Sequence, residues 1–244
     1  MATLISEFQP DSESNTATFE LSGTPGDSFD GVIIRIESDA SDAGIVDRFA
    51  SISGTFDPNG LLTSLITWNF EDTGLDDPSY TFVLLDSYGG DTNTDLDGDD
   101  DGEISDESET FLGNVLDAIG IPDTNNNDEI LYGAQLGGTD FAFTGDDPRL
   151  IIRDASVGDL YAINDPDNGQ VFDTNGNDVT TTIFDSDPTT GTDTFNAINP
   201  STALDTNLEI SEANAVRLEG DTGTTAFTFT VTRSGDDSTA NSVD

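Results

Sequence analysis

The 244-residue sequence contains no cysteine, no histidine and no lysine, and these absences exclude most catalytic mechanisms. A Ser-His-Asp triad, a cysteine nucleophile, a Schiff-base lysine and a P-loop lysine are all impossible. Thiolate and imidazole zinc sites are excluded as well. Any metal must therefore be held by oxygen, which favours calcium or magnesium. A carboxylate pair of the glycosidase type stays open, but 50 acidic residues guarantee such a pair and make it uninformative.

Positive charge is almost as scarce, because six arginines oppose 50 acidic residues and the formal net charge is −44. Nucleic acid and anionic membranes are excluded as direct partners, since binding phosphate requires clusters of Lys and Arg. Three interpretations of the charge compete: it binds calcium, it is a solvated coat suited to a salty medium, or it keeps the chain disordered. Plentiful, periodic apolar residues argue against disorder.

Long apolar runs are also missing, so we expect no membrane insertion. The first ten residues lack the basic and apolar regions of a signal peptide. Without cysteine the chain is not a disulfide-stapled domain, and its length suits one or two domains with a real core.

Short apolar segments, rich in Ile, Val, Phe, Thr and Tyr, recur between Gly, Pro, Asp, Asn and Ser. Several alternate in polarity, which predicts an antiparallel β-sandwich with one buried face per strand. The predicted strands are 4–8, 17–21, 32–37, 44–49, 61–68, 80–85, 129–132, 150–153, 160–163, 181–184, 215–218 and 226–232. One segment, 110–119, has an apolar stripe at helical spacing, followed by Gly120 and Pro122, and predicts a short helix.

An acidic loop, residues 95–108, precedes that helix and matches the first ten positions of an EF-hand calcium loop. Side-chain oxygens fall at Asp97, Asp99 and Asp101, and Gly102 stands where the backbone must turn. Glu103 would offer its carbonyl, and Ile104 would point into the core. A strand precedes the loop, so we expect half an EF-hand at most.

Position twelve of the loop, the usual bidentate glutamate, is Ser108. Asp106 from position ten, or Glu109 through a one-residue bulge, are the candidate replacements. Losing the bidentate ligand predicts weak calcium affinity, roughly 10⁻⁴–10⁻³ M. A solvated acidic loop without a metal is the alternative.

Three further Asp/Asn clusters, at 123–128, 165–169 and 173–178, suit either calcium or ordinary turns. Arg149 and Arg153 share a strand face, which suggests pairing with carboxylates such as Asp146 or Asp147, or an anion clamp.

The region from Leu4 to Ile163 resembles the lamin-tail domain of long secreted bacterial proteins. The resemblance is carried by LISEF at 4–8, FELSG at 19–23, YTFVLL at 80–85, LYG at 131–133 and LIIRD at 150–154. It implies an immunoglobulin-like sandwich that supplies no catalytic residues. We expect this domain at 1–196, with the calcium-type loop 95–108 inserted.

The last part resembles the opening of a Calx-β domain, through AVRLEGDTG at 215–223 and FTFTVTRSGD at 227–236. That family is immunoglobulin-like and binds calcium through acidic loops, which implies a ligand role for Glu219. We expect a linker at 197–206 and a partial Calx-β-like segment at 207–244. The predicted fold is therefore all-β: an immunoglobulin-like antiparallel β-sandwich with one short helix, plus an incomplete second β-sandwich at the C-terminus.

Together these features predict a non-catalytic, extracellular, calcium-binding module that serves adhesion, spacing or attachment in a larger secreted protein. Its expected partners are calcium and cell-surface or matrix components. The alternative is the accessory N-terminal region of a secreted nuclease, phosphatase or other hydrolase whose catalytic domain lies beyond residue 244. A carboxylate glycosidase is a third hypothesis.

Overall fold

A computed structural model describes residues 1–10, 16–39, 42–70, 79–99, 101–105, 107–122, 129–145, 148–164, 169–180, 194–202, 207–212 and 229–234. These residues form fifteen strands and a single 3₁₀ helix, Ser108–Phe111. The strands are β1 (Leu4–Phe8), β2 (Thr16–Ser22), β3 (Ser28–Glu37), β4 (Ile45–Thr55), β5 (Leu61–Thr67), β6 (Asn69–Phe70), β7 (Tyr80–Leu85), β8 (Thr94–Asp95), β9 (Val115–Ile121), β10 (Thr139–Asp140), β11 (Leu150–Arg153), β12 (Leu160–Ile163), β13 (Val171–Asp173), β14 (Asn207–Glu212) and β15 (Phe229–Ser234).

Two sheets contain most of these strands, and the chain is an all-β protein. The first sheet has the order β13–β12–β11–β1–β2–β5. The second has the order β10–β9–β7–β3–β4–β6, and β8 also pairs with β4. All pairings are antiparallel except that of β9 with β10. β14 and β15 pair antiparallel with each other as a separate two-stranded sheet.

Aromatic side chains join the two large sheets face to face. The Phe8 ring of β1 stacks on Phe19 of β2 at 5.2 Å and tilts against Phe82 of β7 at 4.8 Å. All three side chains are buried in one apolar cluster, which Trp68 extends by an edge contact with Phe19. Each fully buried phenylalanine contributes about 1.5–3 kcal/mol by leaving water. The two sheets therefore form a β-sandwich.

The outer face of the second sheet is buried as well. Ile34 and Ile36 of β3 lie there, and the covering side chains are Leu96, Ile104 and Tyr132 from two long connections. Because β3 and β7 are buried on both faces, their sequences read as nearly continuous apolar runs. The acidic loop is thus part of the layer that covers this sheet.

The outer face of the first sheet is crossed by residues 194–202, which we call the strap. Polar groups of the strap bind carboxylates and backbone of the sheet. The hydrogen bonds are Thr194 N to Glu7 Oε1 at 2.8 Å, Asn196 N to Glu20 Oε2 at 2.6 Å, Asn199 Nδ2 to Ser6 O at 2.8 Å and Thr202 N to Asp154 Oδ2 at 2.7 Å. The first six residues of the predicted linker 197–206 belong to this strap, and the other four lie outside the described residues.

The helix predicted over 110–119 is wrong. Residues 108–111 form the 3₁₀ helix, and Val115–Ile121 is strand β9, paired with β7. Ala118 packs in the outer cluster while Ile119 packs between the sheets. A strand buried on both faces has no polar alternation, so its apolar residues imitated a helical stripe.

Most predicted strands are confirmed within a few residues, and those at 4–8, 80–85, 150–153 and 160–163 match the observed bounds. The strand predicted at 129–132 is wrong. It is represented by a single bridge between Asp39 and Glu129 and by a hydrogen bond from Ile130 N to Ser38 O. The strands predicted at 181–184 and 215–218 lie outside the described residues, and the segment predicted at 226–232 contributes to β15.

Candidate metal centre

Strand pairing and buried side chains hold the acidic loop at both ends. β8 pairs with Ile45 and Val46 of β4, which fixes the chain immediately before Leu96. Leu96 is fully buried, and its N–H donates to Gly44 O at 2.9 Å. The N–H of Ser105 then returns to Leu96 O at 3.1 Å. The intervening residues are therefore forced into a closed loop whose ends are part of the outer layer.

Asp97 organises this loop from inside, and its side chain is 0% exposed. Its Oδ1 accepts a hydrogen bond from Asp101 N at 3.2 Å, and its Oδ2 accepts one from Gly102 N at 2.9 Å. Gly102 has a φ of 87°, a left-handed conformation that glycine adopts without strain. The sharp turn predicted at Gly102 is thus present, and it points two backbone N–H groups at the Asp97 carboxylate.

Three carboxylates converge on one point of the loop. One oxygen from each of Asp97, Asp99 and Asp101 lies within 4.8 Å of the others, and the last two side chains are exposed. Oxygens this close surround a space that suits a divalent cation with bond lengths of about 2.3–2.6 Å. The same three negative charges repel one another without a cation. The arrangement therefore has the donor chemistry and the spacing for a hard, oxygen-binding metal.

The other predicted ligands have different positions. The side chains of Glu103 and Glu109 are exposed and do not belong to the three-carboxylate group. Ser108, at position twelve, turns inward, where its hydroxyl accepts a hydrogen bond from the Ser105 hydroxyl at 2.8 Å. Asp106 and Glu219 lie outside the described residues. Within the described residues, the group consists of the ligands predicted at positions one, three and five.

Two residues that the sequence did not single out support the loop from the neighbouring segment. The hydroxyl of Tyr132, which is fully buried, donates to Asp97 Oδ2 at 2.8 Å. The N–H of Ile104 donates to Gln135 Oε1 at 2.9 Å. Both contacts join positions more than 30 residues apart, so no local pattern announces them.

Gly44 closes the loop from the opposite side, in the turn between β3 and β4. Its φ is 85°, and an added Cβ would lie 2.5 Å from the Asp97 Cβ. Only glycine permits this approach. The Asp97 side chain is consequently confined between Gly44 and the phenol of Tyr132.

The weaker acidic clusters have different outcomes. Within 173–178, the Asp173 carboxylate caps its own turn, because Oδ1 accepts from Asn175 N at 3.0 Å and from Asn177 N at 2.9 Å. These hydrogen bonds are those of an ordinary Asp/Asn turn, which is one of the two interpretations of this cluster. Residues 123–128 and 165–168 lie outside the described part of the chain.

Arg153 holds the two sheets together. Its Nη2 donates to Asp117 Oδ2 of β9 at 2.6 Å, and its Nε donates to Ile5 O of β1 at 2.9 Å. Burial raises the pKa of Asp117, although Arg153 acts to lower it. Among the described residues the carboxylate partner of Arg153 is Asp117, while the predicted partners Asp146 and Asp147 lie outside the described residues. Since its donors are engaged within the sandwich, Arg153 is a cross-sheet clamp.

Within the described residues, no helix has the length and hydrophobicity that a membrane crossing requires. Comparisons with protein-family models, with curated proteins and with solved structures give no match to this chain. Among the described residues, the acidic loop at Asp97 is the feature with the most specific chemistry.

Proposed function

We propose that this protein is a non-catalytic, calcium-binding β-sandwich module of an extracellular or cell-surface protein. The observation that carries the proposal is the convergence of Asp97, Asp99 and Asp101 around a glycine turn. We further propose that the sandwich is immunoglobulin-like and related to lamin-tail domains, and that residues 207–244 begin a Calx-β-like unit. Adhesion, spacing or attachment to surface components would be the task of the parent protein.

Calcium is favoured over other cations by the type and number of the ligands. Three carboxylates, a predicted carbonyl from Glu103 and water give an all-oxygen set without imidazole or thiolate. The flexible exposed carboxylates of Asp99 and Asp101 suit the large, adaptable calcium shell better than strict octahedral magnesium. The inward-turned Ser108 supplies no bidentate carboxylate, which keeps the expected affinity near 10⁻⁴–10⁻³ M.

The proposed role of the ion is local and electrostatic. Binding neutralises repulsion among the three carboxylates and fixes the loop between its two buried anchors, Leu96 and Ile104. The segment after the loop offers less anchoring, because Phe111 of the 3₁₀ helix is 38% exposed. Calcium would therefore rigidify the covering layer of the second sheet.

The experiment is a calcium titration followed by thermal melting and by isothermal titration calorimetry, with about 1 M NaCl present to screen surface charge. Asp99→Ala with Asp101→Ala removes two ligands from exposed positions, whereas Asn would keep a side-chain oxygen that binds calcium. Asp27→Ala with Asp30→Ala is the matched control, because these exposed carboxylates lie at the start of β3, outside the acidic loop.

We expect saturable calcium binding and a rise in melting temperature for the wild type and the control, and loss of both in the loop variant. Magnesium at the same concentration should give a clearly smaller effect. Equal stabilisation by magnesium and calcium, or an unchanged calcium response in the loop variant, would contradict the proposed site.

A further inference from the structure

A second charged group lies inside the sandwich, away from the acidic loop. On β3, Arg35 and Glu37 follow Ile33 at two-residue intervals and therefore share its face, which points between the sheets. Arg35 is 3% exposed and Glu37 is 0% exposed. Their neighbour on β7 is Tyr80, which pairs with Glu37 in register. Ionisable side chains thus lie between the sheets here, as Arg153 and Asp117 do elsewhere in the sandwich.

Hydrogen bonding in this group is directed to Asp47 of β4. The Nε of Arg35 donates to Asp47 Oδ1 at 2.9 Å, and its Nη2 also bonds Oδ2 of the same carboxylate. The guanidinium lies 3.5 Å from the centre of the Tyr80 ring. Arg48 Nε lies 3.4 Å from Asp47 Oδ2. Asp47 is therefore the carboxylate that both arginines neutralise.

Glu37 lies beside this ion pair but makes no hydrogen bond to it. Its nearest cation is Arg35 Nη2, 3.9 Å from Oε1, which is beyond hydrogen-bonding distance. Neither carboxyl oxygen has a hydrogen-bond partner in the described structure, although both are buried. A buried carboxylate without hydrogen bonds is strongly disfavoured, whereas the neutral acid is tolerated far better.

The charges that face Glu37 come from three elements. Asp47 and Arg48 belong to β4, Arg35 belongs to β3, and Asp42 lies in the turn between these strands. Burial raises the pKa of Glu37 to about 9, and repulsion by Asp47 adds to this effect, while attraction by Arg35 opposes it. The pKa of Tyr80 is also raised by burial, so the phenol stays neutral over the same pH range.

We propose that Glu37 carries its proton in the folded protein and acts as a pH-sensitive lock on this end of the sandwich. In the unfolded chain the carboxyl loses its proton above about pH 4.3. The folded state thus binds one more proton than the unfolded state between about pH 4.3 and the folded pKa of about 9. Stability falls as pH rises through that window, and ionisation above it loosens the junction of β3, β4 and β7.

The loosening has a defined path along the backbone. Glu37 O accepts from Gly44 N at 3.0 Å, and Ser38 N donates to Ser79 O at 3.2 Å. These bonds hold the turn between β3 and β4 to the start of β7. Ionisation of Glu37 would therefore loosen this turn first. The same turn contains Gly44, which packs against Asp97.

The test measures melting temperature from pH 5 to pH 9.5 for the wild type, Glu37→Gln and Glu37→Met, in chelator and constant NaCl. Without calcium, the result does not depend on the proposed metal site. Both variants replace the carboxyl group with a group that does not ionise, and both keep the side chain's length. The control is Glu20→Gln, because Glu20 is equally buried but accepts hydrogen bonds from Asn196 N and from the Thr63 hydroxyl.

We expect both Glu37 variants to melt at least about 4 °C above the wild type at pH 9, with a difference that shrinks toward pH 5. Glu20→Gln should melt lower and leave the pH slope unchanged. A titration of the Glu37 carboxyl carbon by NMR, on the wild type, gives the protonation state directly. Ionisation near pH 4, or Glu37 variants less stable at pH 9, would overturn the proposal.

Discussion

The hydrogen bond from Tyr132 to Asp97 decides which carboxylate oxygen is free for a cation. Oδ2 accepts from both Tyr132 and Gly102, whereas Oδ1 accepts one longer bond, from Asp101. A carboxylate offers about four acceptor positions, and among the described residues the one without a donor lies on Oδ1. In the proposed site, Asp97 would therefore bind the cation through Oδ1, because its Oδ2 is held by a phenol that is itself buried in the core.

Tyr132→Phe tests this positioning role. The substitution removes one hydroxyl from the core, and Asp97 Oδ2 keeps its bond from Gly102 N. We expect calcium affinity to fall about tenfold, as for other supporting residues of metal sites. The calcium-free melting temperature should change little, and calorimetry should report the affinity. Tyr88→Phe is the control, because its hydroxyl donates to the backbone of Asp91. Equal affinity in both variants would mean that the backbone alone positions Asp97.

Local residues of the site were predictable, but the distant ones were not. The spacing of Asp97, Asp99 and Asp101, and the turn at Gly102, follow from a contiguous motif with known geometry. Tyr132 and Gln135 reach the loop only because two connections cover the same sheet face. A single sequence carries no signal for such pairing, since each residue alone is an ordinary apolar or polar position.

At the scale of elements, strands buried on both faces were predicted correctly at β7 and β11 but not at β9. β11 and β12 match their predictions, whereas β9 was predicted as a helix. The sequence of β9 also follows an acidic loop that in an EF-hand leads into a helix. Pairing with β7 outweighed this local preference, because a strand there completes a sheet covered on both faces.

The strap is a second element whose character depended on tertiary contacts. Its polar composition reads as a linker, yet its N–H and hydroxyl groups are the donors that buried carboxylates of the first sheet require. Thr202, for example, donates to Asp154 Oδ2 through both its N–H and its hydroxyl. The strap therefore contributes stability by donating hydrogen bonds to carboxylates that are buried away from water.

Asp154→Asn tests the anchoring of the strap. Burial acts to raise the pKa of Asp154, but hydrogen bonds from Ser156 and Thr202 outweigh it and lower the pKa to about 2. Stability from this group is thus present above the unfolded value of about 3.9 and is lost as pH falls toward 2. We expect the variant to lose about 1–3 kcal/mol at pH 7, by chemical denaturation, and less near pH 2.

Asp159→Asn is the matched control for the strap, because this exposed residue flanks the same turn and contributes a backbone carbonyl to Asp154 N. Its side-chain change should leave stability within about 0.5 kcal/mol of the wild type. A deficit in Asp154→Asn that stays constant from pH 7 to pH 2 would show that the carboxylate charge has no part in holding the strap.

At the scale of the whole molecule, the feature to explain is how a folded sandwich tolerates a net charge of −44. Arginine neutralises only part of the buried charge, as at Asp47 and Asp117, and N–H groups of the strap serve Glu7 and Glu20. In the part of the chain that the structure describes, most acidic side chains are at least partly exposed, and their mutual repulsion opposes folding. Calcium and a salty medium both relieve this repulsion, but they do so differently.

Screening and site binding are separable by their dependence on concentration and on ion type. The Debye length falls from about 10 Å at 0.1 M salt to about 3 Å at 1 M, so we expect the melting temperature to rise steadily with NaCl. Tetramethylammonium chloride, which screens without entering a carboxylate site, should act equally. At 1 M salt, calcium should add a saturable increment that magnesium does not reproduce. If the melting temperature rises with salt but calcium adds nothing, the acidic residues are a solvated coat. If calcium raises the melting temperature and salt does not, bound ions alone relieve the repulsion.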